Sequence, residues 1–181
     1  MPTKPSIAEK LCLTCGLCCN GVIFANVQLQ SDDDADKLET MGLALRRASR
    51  KNPARLGFLQ PCVAFDGCRC RIYADRPKYC RAFACALLQS VNTGEVKTDD
   101  ALRIIEKARR RAEKVRQLLR QTGDKDEKIA LSLRFRRTIK RIEKGAIDPQ
   151  TGAIFSDLTL AVQNLNVLLS EKFYPGESTR P

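Results

Sequence analysis

Apolar residues recur at every third or fourth position through the second half of the chain, which is the spacing of one face of an α-helix. The pattern predicts a first helix over residues 98–122, a second from residue 124 or 126 to 144, and a third over about 157–173. Residues 145–152 read as a loop. The predicted core positions of these helices are Leu102, Ile105, Ala108, Ala112, Val115, Leu119, Ile129, Leu133, Ile139, Ile142, Leu158, Ala161, Leu165, Leu168, Leu169 and Phe173.

The first half of the chain is less regular. Imperfect alternation predicts a short strand over residues 22–29, and the polar residues 31–34 suit the start of a helix that carries Leu38, Met41, Leu45 and Ala48. Asn52-Pro53 would break that helix. The patterns together predict a mainly α fold with an irregular, metal-stabilised N-terminal module and a basic helical C-terminal half, with a small α+β fold as the alternative.

The length and composition limit the classes of function. A chain of 181 residues that is 43% hydrophobic is the size of one domain, and its composition changes near residue 92. We therefore expect a cysteine-cluster module over residues 1–92 and a basic helical region over 93–181, packed on the first. The chain has no histidine and no tryptophan, which excludes a Ser-His-Asp triad, a Cys-His nucleophile and a Cys2His2 zinc finger.

Positive charge is concentrated in the predicted helices. The formal net charge is +11, and residues 103–144 alone hold sixteen Lys/Arg against six Asp/Glu, a net of +10. Arg109, Arg110 and Arg111 would attract phosphates, so a nucleic acid is one candidate partner. The basic residues also interleave with an apolar stripe, as they do on the solvated face of an ordinary helix, and an acidic protein partner would use the same surface.

Nine cysteines are the main candidates for chemistry. The first twelve residues lack the apolar stretch of a signal peptide, and we find no apolar run of about 18 residues, so we expect a cytoplasmic protein without a membrane segment. Disulfides rarely persist in that compartment, and dense cysteines there indicate metal ligation or redox chemistry. All nine are candidate metal ligands, and one or more of them can be spare: Cys12, Cys15, Cys18, Cys19, Cys62, Cys68, Cys70, Cys80 and Cys85.

The spacing CxxCGxCC in residues 12–19 is typical of a metal-binding turn. Two intervening residues allow a tight turn to bring both sulfurs to one ion, and Gly16 permits the backbone bend. Adjacent side chains diverge, so Cys18 and Cys19 are expected to serve different metals, or one ligand role and one supporting role.

The second group of cysteines reads PCxxxxxGCxCxIYxxRPxxCRxFxC over residues 61–85. Together with CxxCGxCC, this segment is similar to the YkgJ-type cysteine-cluster family, a CxxCxxCC domain described as zinc- or iron-chelating. Flagellin lysine methylases carry a similar cysteine set. The family positions in this chain are Cys12, Cys15, Cys18, Cys19, Cys62, Cys70 and Cys80, with Ile72-Tyr73, Arg76-Pro77, Arg81 and Phe83.

The donor set favours an iron–sulfur cluster, with [4Fe–4S] as the preferred type, because an all-thiolate set without histidine resembles iron–sulfur ligation. Zn²⁺ is the alternative. Tyr73, Arg76 and Arg81 either support the cluster sulfurs from outside or belong to the ordinary core and its ion pairs with Asp66 or Asp75. We predict a redox or accessory metalloprotein with a redox or acidic partner; the alternative is a structural zinc module that binds protein or nucleic acid. Whether it is an enzyme stays open, since no catalytic constellation accompanies the thiols.

Overall fold

Seven helices and one small sheet make up the regular structure in the computed structural model, which describes residues 6–47, 55–67, 69–145 and 149–174. The helices are α1 (Ile7–Cys15), α2 (Ala35–Thr40), α3 (Lys78–Ala82), α4 (Ala86–Asn92), α5 (Thr98–Gln121), α6 (Leu131–Lys144) and α7 (Pro149–Lys172). The strands are β1 (Asn26–Gln28), β2 (Arg46–Arg47) and β3 (Leu56–Leu59). The mainly α prediction, with its small α+β variant, is confirmed.

The three strands form an antiparallel sheet in the order β1-β3-β2. Val27 faces Phe58 across β1 and β3, and Arg46 faces Gly57 across β2 and β3. A Cβ at Gly57 would lie 2.5 Å from the Val27 carbonyl oxygen, which is closer than any side chain tolerates. Glycine at this position therefore permits the close approach of β1 and β3.

The chain divides into two compact units. Unit 1 takes residues 1–15, 84–125 and 134–181, and unit 2 takes residues 16–83 and 126–133. Each unit is thus assembled from segments that are distant in sequence. The division by composition into residues 1–92 and 93–181 stays a prediction.

Unit 1 is built on α5, which packs against α1, α4 and α7. The apolar stripe predicted for residues 98–122 is the buried face of α5, except for Leu102, which is half-buried. Gly123, with φ +86°, follows the end of the helix. The predicted stripe on α7 is buried as well, except for Ala161, which is half-buried. The buried core residues of α5 and α7 are Ala101, Ile105, Ala108, Ala112, Val115, Leu118, Leu119, Leu158, Leu165, Leu168 and Leu169.

Two predicted boundaries in this region are wrong. The second helix begins at Leu131 and not at residue 124 or 126, because Asp124 is buried and its carboxylate accepts a hydrogen bond from Arg134 Nε at 3.1 Å. The third helix begins at Pro149, so residues 149–152 are helical and not a loop. Proline suits the first turn of a helix, where its missing N–H has no partner to lose. Residues 146–148 lie outside the described residues.

Unit 2 has a small core under the sheet and α2. Its buried residues are Val27, Leu38, Leu43, Phe58 and Ala64. Asp34 caps α2 by accepting a hydrogen bond from Lys37 N at 2.9 Å, which confirms the predicted helix start. The helix ends at Thr40 and is capped by Met41, before Gly42 with φ +91°, so the prediction that Met41 and Leu45 are helical is wrong. Ala48 and Asn52-Pro53 lie outside the described residues.

Residues Gln150–Lys172 of α7 are long and apolar enough to cross a membrane when judged by length and composition alone, with a mean hydropathy of 1.2. A core helix of a soluble protein passes the same test. Leu158, Leu165 and Leu169 of this helix are buried in unit 1. The absence of a membrane partner therefore stays a prediction.

Candidate metal centre

The first two cysteines lie on a helix. Cys12 and Cys15 belong to α1, whose Leu11 is buried, so the prediction of a tight turn between these two cysteines is wrong. Their spacing of three residues still puts both side chains on the same helix face. Cys12 is exposed and Cys15 is half-buried.

A turn over residues 16–21 carries Cys18 and Cys19. Gly16 has φ +64°, and a Cβ there would lie 2.5 Å from the ring of Phe65. The predicted backbone bend at Gly16 is confirmed, and the structure adds a second reason for glycine, which is the contact with Phe65. Cys62 N donates to Cys19 O at 2.8 Å, so the two cysteine motifs are directly hydrogen-bonded within unit 2.

Three cysteines of the second motif gather at the core of unit 2. Cys62, Cys70 and Cys80 are half-buried and pack against the core cluster around Phe58. An isolated bridge joins Phe65 to Cys70, and Cys80 lies on α3. The local fold therefore brings together thiols that are eight and ten residues apart in the sequence.

Burial makes these thiols weak acids. It raises the pKa of Cys62 and of Cys70, and it raises that of Cys80 to about 12, where the neighbouring Cys62 and Cys70 add to the effect. Burial likewise raises the pKa of Cys85, which precedes α4 in unit 1. A bound cation would favour the thiolate forms, because sulfur ligates metals as thiolate.

The positive charge of Arg76 favours the thiolate forms of Cys70 and Cys80, as a bound cation would. Desolvation is the larger influence on the pKa of Cys70 and Cys80 and raises it, whereas the positive charge of Arg76 lowers it. The Arg76 guanidinium carbon lies 3.5 Å from the centroid of the Tyr73 ring, and its Nε donates to Tyr73 O at 2.8 Å. These two contacts hold the charge in place.

Arg81 contacts Arg76, whereas Asp75 pairs with a residue outside this group. Arg81 donates to Arg76 O at 2.6 Å, so the three predicted residues Tyr73, Arg76 and Arg81 form one connected group. Asp75, which the sequence offered as an arginine partner, instead pairs with Lys37 at 2.8 Å.

An aromatic cluster beside the thiols was missed at the sequence level. The ring of Phe24 meets those of Phe83 and Tyr79 edge-on, with centroids 4.8 and 5.7 Å apart. Desolvation raises the pKa of Tyr79, and Cys18 and Cys80 contribute, so this ring lies near both motifs of unit 2. The available signals were that Phe83 is one of the family positions and that Tyr79 immediately precedes Cys80 in the sequence.

The candidate ligands are distributed over both units. Cys12, Cys15 and Cys85 belong to unit 1, and Cys18, Cys19, Cys62, Cys70 and Cys80 belong to unit 2. All eight are thiols, and Cys68 lies outside the described residues. Within the described ranges, no three Cys, Asp or Glu side chains are already arranged as a metal site. The assignment of the nine cysteines as ligands stays a prediction.

Comparison with known families gives one match. The model of the CxxCxxCC family, described as a zinc- or iron-chelating domain, matches residues 11–121. That stretch includes every cysteine of the chain. No curated protein matches the chain, and no solved structure does.

Proposed function

Because the chain belongs to the CxxCxxCC family of zinc- or iron-chelating domains, we propose that its cysteines hold an iron–sulfur cluster with a redox or accessory role. The observation that supports this most is the gathering of Cys62, Cys70 and Cys80 at the core of unit 2. The backbone hydrogen bond from Cys62 to Cys19 connects the second half of the CxxCGxCC motif, with Cys18 and Cys19, to these three cysteines within unit 2.

The ligand types present favour an iron–sulfur cluster over zinc but are compatible with both. Thiolates bind both zinc and iron–sulfur clusters, but zinc sites commonly include histidine, which this chain lacks. A [4Fe–4S] cluster, which takes four thiolate ligands, is our preferred cofactor. Such a cluster supplies reversible one-electron transfer.

The surrounding side chains would tune and shield the bound group. Arg76, fixed on the Tyr73 ring, places a positive charge near Cys70 and Cys80, which offsets the negative charge of thiolates. The rings of Phe24, Tyr79 and Phe83 cover the neighbourhood with apolar surface. Because of these two features, the side chains of the protein, and not water, would determine the electrostatic environment of a bound metal.

A structural zinc module is the second candidate. It is favoured by the small size of the unit 2 core, which contains five buried apolar residues in its main cluster. Small cores are commonly stabilised by a metal, and thiols packed against Phe58 would anchor it there. In this case the role of the protein would be to bind another macromolecule.

The deciding experiment is metal analysis of protein purified without oxygen. We expect a brown protein with nearly equal iron and acid-labile sulfide, and we expect Cys62→Ser to lose most of both. Val63→Ser, a change at the exposed neighbouring side chain, is the matched control and should keep both. A colourless protein with stoichiometric zinc would overturn the iron–sulfur proposal and support the structural one.

We further propose a cytoplasmic location and a redox or acidic protein partner. The high content of thiols supports the location, because such side chains oxidise outside a reducing compartment. The net charge of +11 supports an acidic partner. Fractionation of cells that express a tagged chain, with the cysteines trapped by alkylation at lysis, tests the location.

A further inference from the structure

The six arginines of α5 are already engaged inside unit 1. Four of them form ion pairs on the helix itself: Arg103 with Asp100, Arg110 with Glu106, and both Arg116 and Arg120 with Glu113. The other two donate to backbone oxygens, Arg109 to Thr14 O and Arg111 to Asn164 O. The Arg109–Arg111 run, which the sequence offers as one phosphate-binding candidate, therefore makes contacts within unit 1.

Helix α6 presents a different set of positive charges. Arg136, Lys140 and Lys144 are exposed and follow one another at intervals of four residues. None of them has a side-chain hydrogen bond or an ion pair with any residue that the structure describes. With a rise of 1.5 Å per residue, the three charges form a row with steps of about 6 Å. We call these three residues the α6 row.

The face of α6 next to the α6 row is held rigidly. Arg134 and Arg137 both bind the Asp124 carboxylate, and Arg141 donates to the Thr122 carbonyl. These contacts attach α6 to the end of α5 within unit 1. The α6 row therefore sits on a fixed support, which lowers the entropic cost of binding a ligand.

We propose that the α6 row binds the phosphate backbone of a nucleic acid, independently of base sequence and of the metal centre. Repeated cations at short intervals match the repeated charges of a phosphate chain. No aromatic side chain interrupts the row on its exposed face, so nothing there would read a base by stacking.

An acidic protein is a poorer fit to this surface. Protein interfaces are organised around apolar anchors, whereas nucleic-acid interfaces are polar and strongly positive. The large exposed apolar side chains in the described part of the chain lie elsewhere, and α6 contributes none of them. At the α6 row itself, the composition of the surface therefore favours phosphates over a protein.

Fluorescence anisotropy with a labelled single-stranded oligothymidylate of about 20 nucleotides tests the proposal on the full-length protein as purified. Three phosphate contacts predict a slope of about −2 for log K against log salt, which is a loss of about 20-fold between about 50 and 200 mM salt. The triple variant Arg136→Gln, Lys140→Gln, Lys144→Gln should bind at least about 10-fold more weakly at low salt and lose the slope.

The matched control carries Lys10→Gln, Lys107→Gln and Lys125→Gln, three exposed lysines outside the α6 row. Both triple variants lower the formal net charge from +11 to +8, so they differ only in where the charge is removed. We expect the control to bind within about 3-fold of wild type, and circular dichroism to show both variants folded. Equal losses in the two variants, no binding by wild type at low salt, or equal binding to poly-glutamate would each overturn the proposal.

Discussion

Asp124 and Arg134 form an ion pair from which water is almost absent: Arg134 Nε lies 3.1 Å from Asp124 Oδ1, and each side chain is 1% exposed. Arg137 approaches the same carboxylate from a more exposed position, at 2.8 Å. Arg134 also donates to the backbone oxygen of Asp124 at 2.8 Å. The turn after α5 is thereby attached to the first half of α6.

Asp124→Asn should destabilise the protein strongly, because it leaves the buried Arg134 charge without a counter-charge. We expect a loss of about 3 kcal/mol in the free energy of unfolding, measured by urea denaturation. Asp100→Asn is the control, since Asp100 and its partner Arg103 are largely exposed, and it should cost less than about 1 kcal/mol. Similar losses in both variants would mean that the buried pair is worth no more than a surface pair.

Gly16→Ala should destabilise unit 2 for two reasons. Its φ of +64° costs a residue with a side chain about 1 to 2 kcal/mol, and the new Cβ would clash with the ring of Phe65. Gly42→Ala separates the two effects, because Gly42 has φ +91° and no atom within 4 Å of a Cβ. The urea midpoint should fall further for Gly16→Ala than for Gly42→Ala, and equal shifts would show that Phe65 simply moves aside.

Metal removal should lower the melting temperature of the protein, because the energy of metal binding is coupled to folding. Cys15→Ser and Cys62→Ser should each lower it in the metal-loaded protein. After chelation, the same variants should melt close to the chelated wild type, since the ligand no longer has a metal to bind. Calorimetry on verified metal-free samples checks this, and an unchanged transition after chelation would contradict it.

Arg76→Gln should weaken metal binding by about 10-fold or more, because it removes a positive charge that favours the thiolates of Cys70 and Cys80. Arg69→Gln is the control, as the Arg69 side chain is 72% exposed and faces Asp66. Competition with a chromophoric chelator for Zn²⁺ measures both affinities. Equal affinities for the two variants would reduce Arg76 to a packing role against Tyr73.

The sequence predicted helices best where the spacing of apolar residues and the residues typical of helix ends agree. In α5 the apolar spacing, the acidic first turn and Gly123 all point to the same element, and its predicted stripe, apart from Leu102, is the buried face. Around Asp124 the local signals favour a helix start, but a long-range contact with Arg134 decides the structure. No pattern confined to neighbouring residues contains that information.

In the candidate site, too, local sequence patterns predicted some features and long-range contacts determined the others. Spacing and composition identified the cysteines as the reactive set, and Gly16 as a bend. They could not reveal that Cys12 and Cys15 lie on a helix, because a metal-binding turn and a helix both accept a spacing of three. The contacts of Phe24 with Tyr79 and Phe83 join residues more than fifty positions apart, beyond the reach of any local pattern.

Unit 2 is completed by residues 126–133, which come late in the chain. Leu131 N donates to Gly21 O at 2.9 Å, and a Cβ on Gly21 would come within 3.0 Å of Ala130 Cα. A ribosome has therefore made every cysteine well before it makes the segment that closes against the turn carrying Cys18 and Cys19. At typical rates of synthesis this interval is about 2 to 9 seconds. During that interval the turn that carries Cys18 and Cys19 lacks the backbone partner that residues 126–133 later supply.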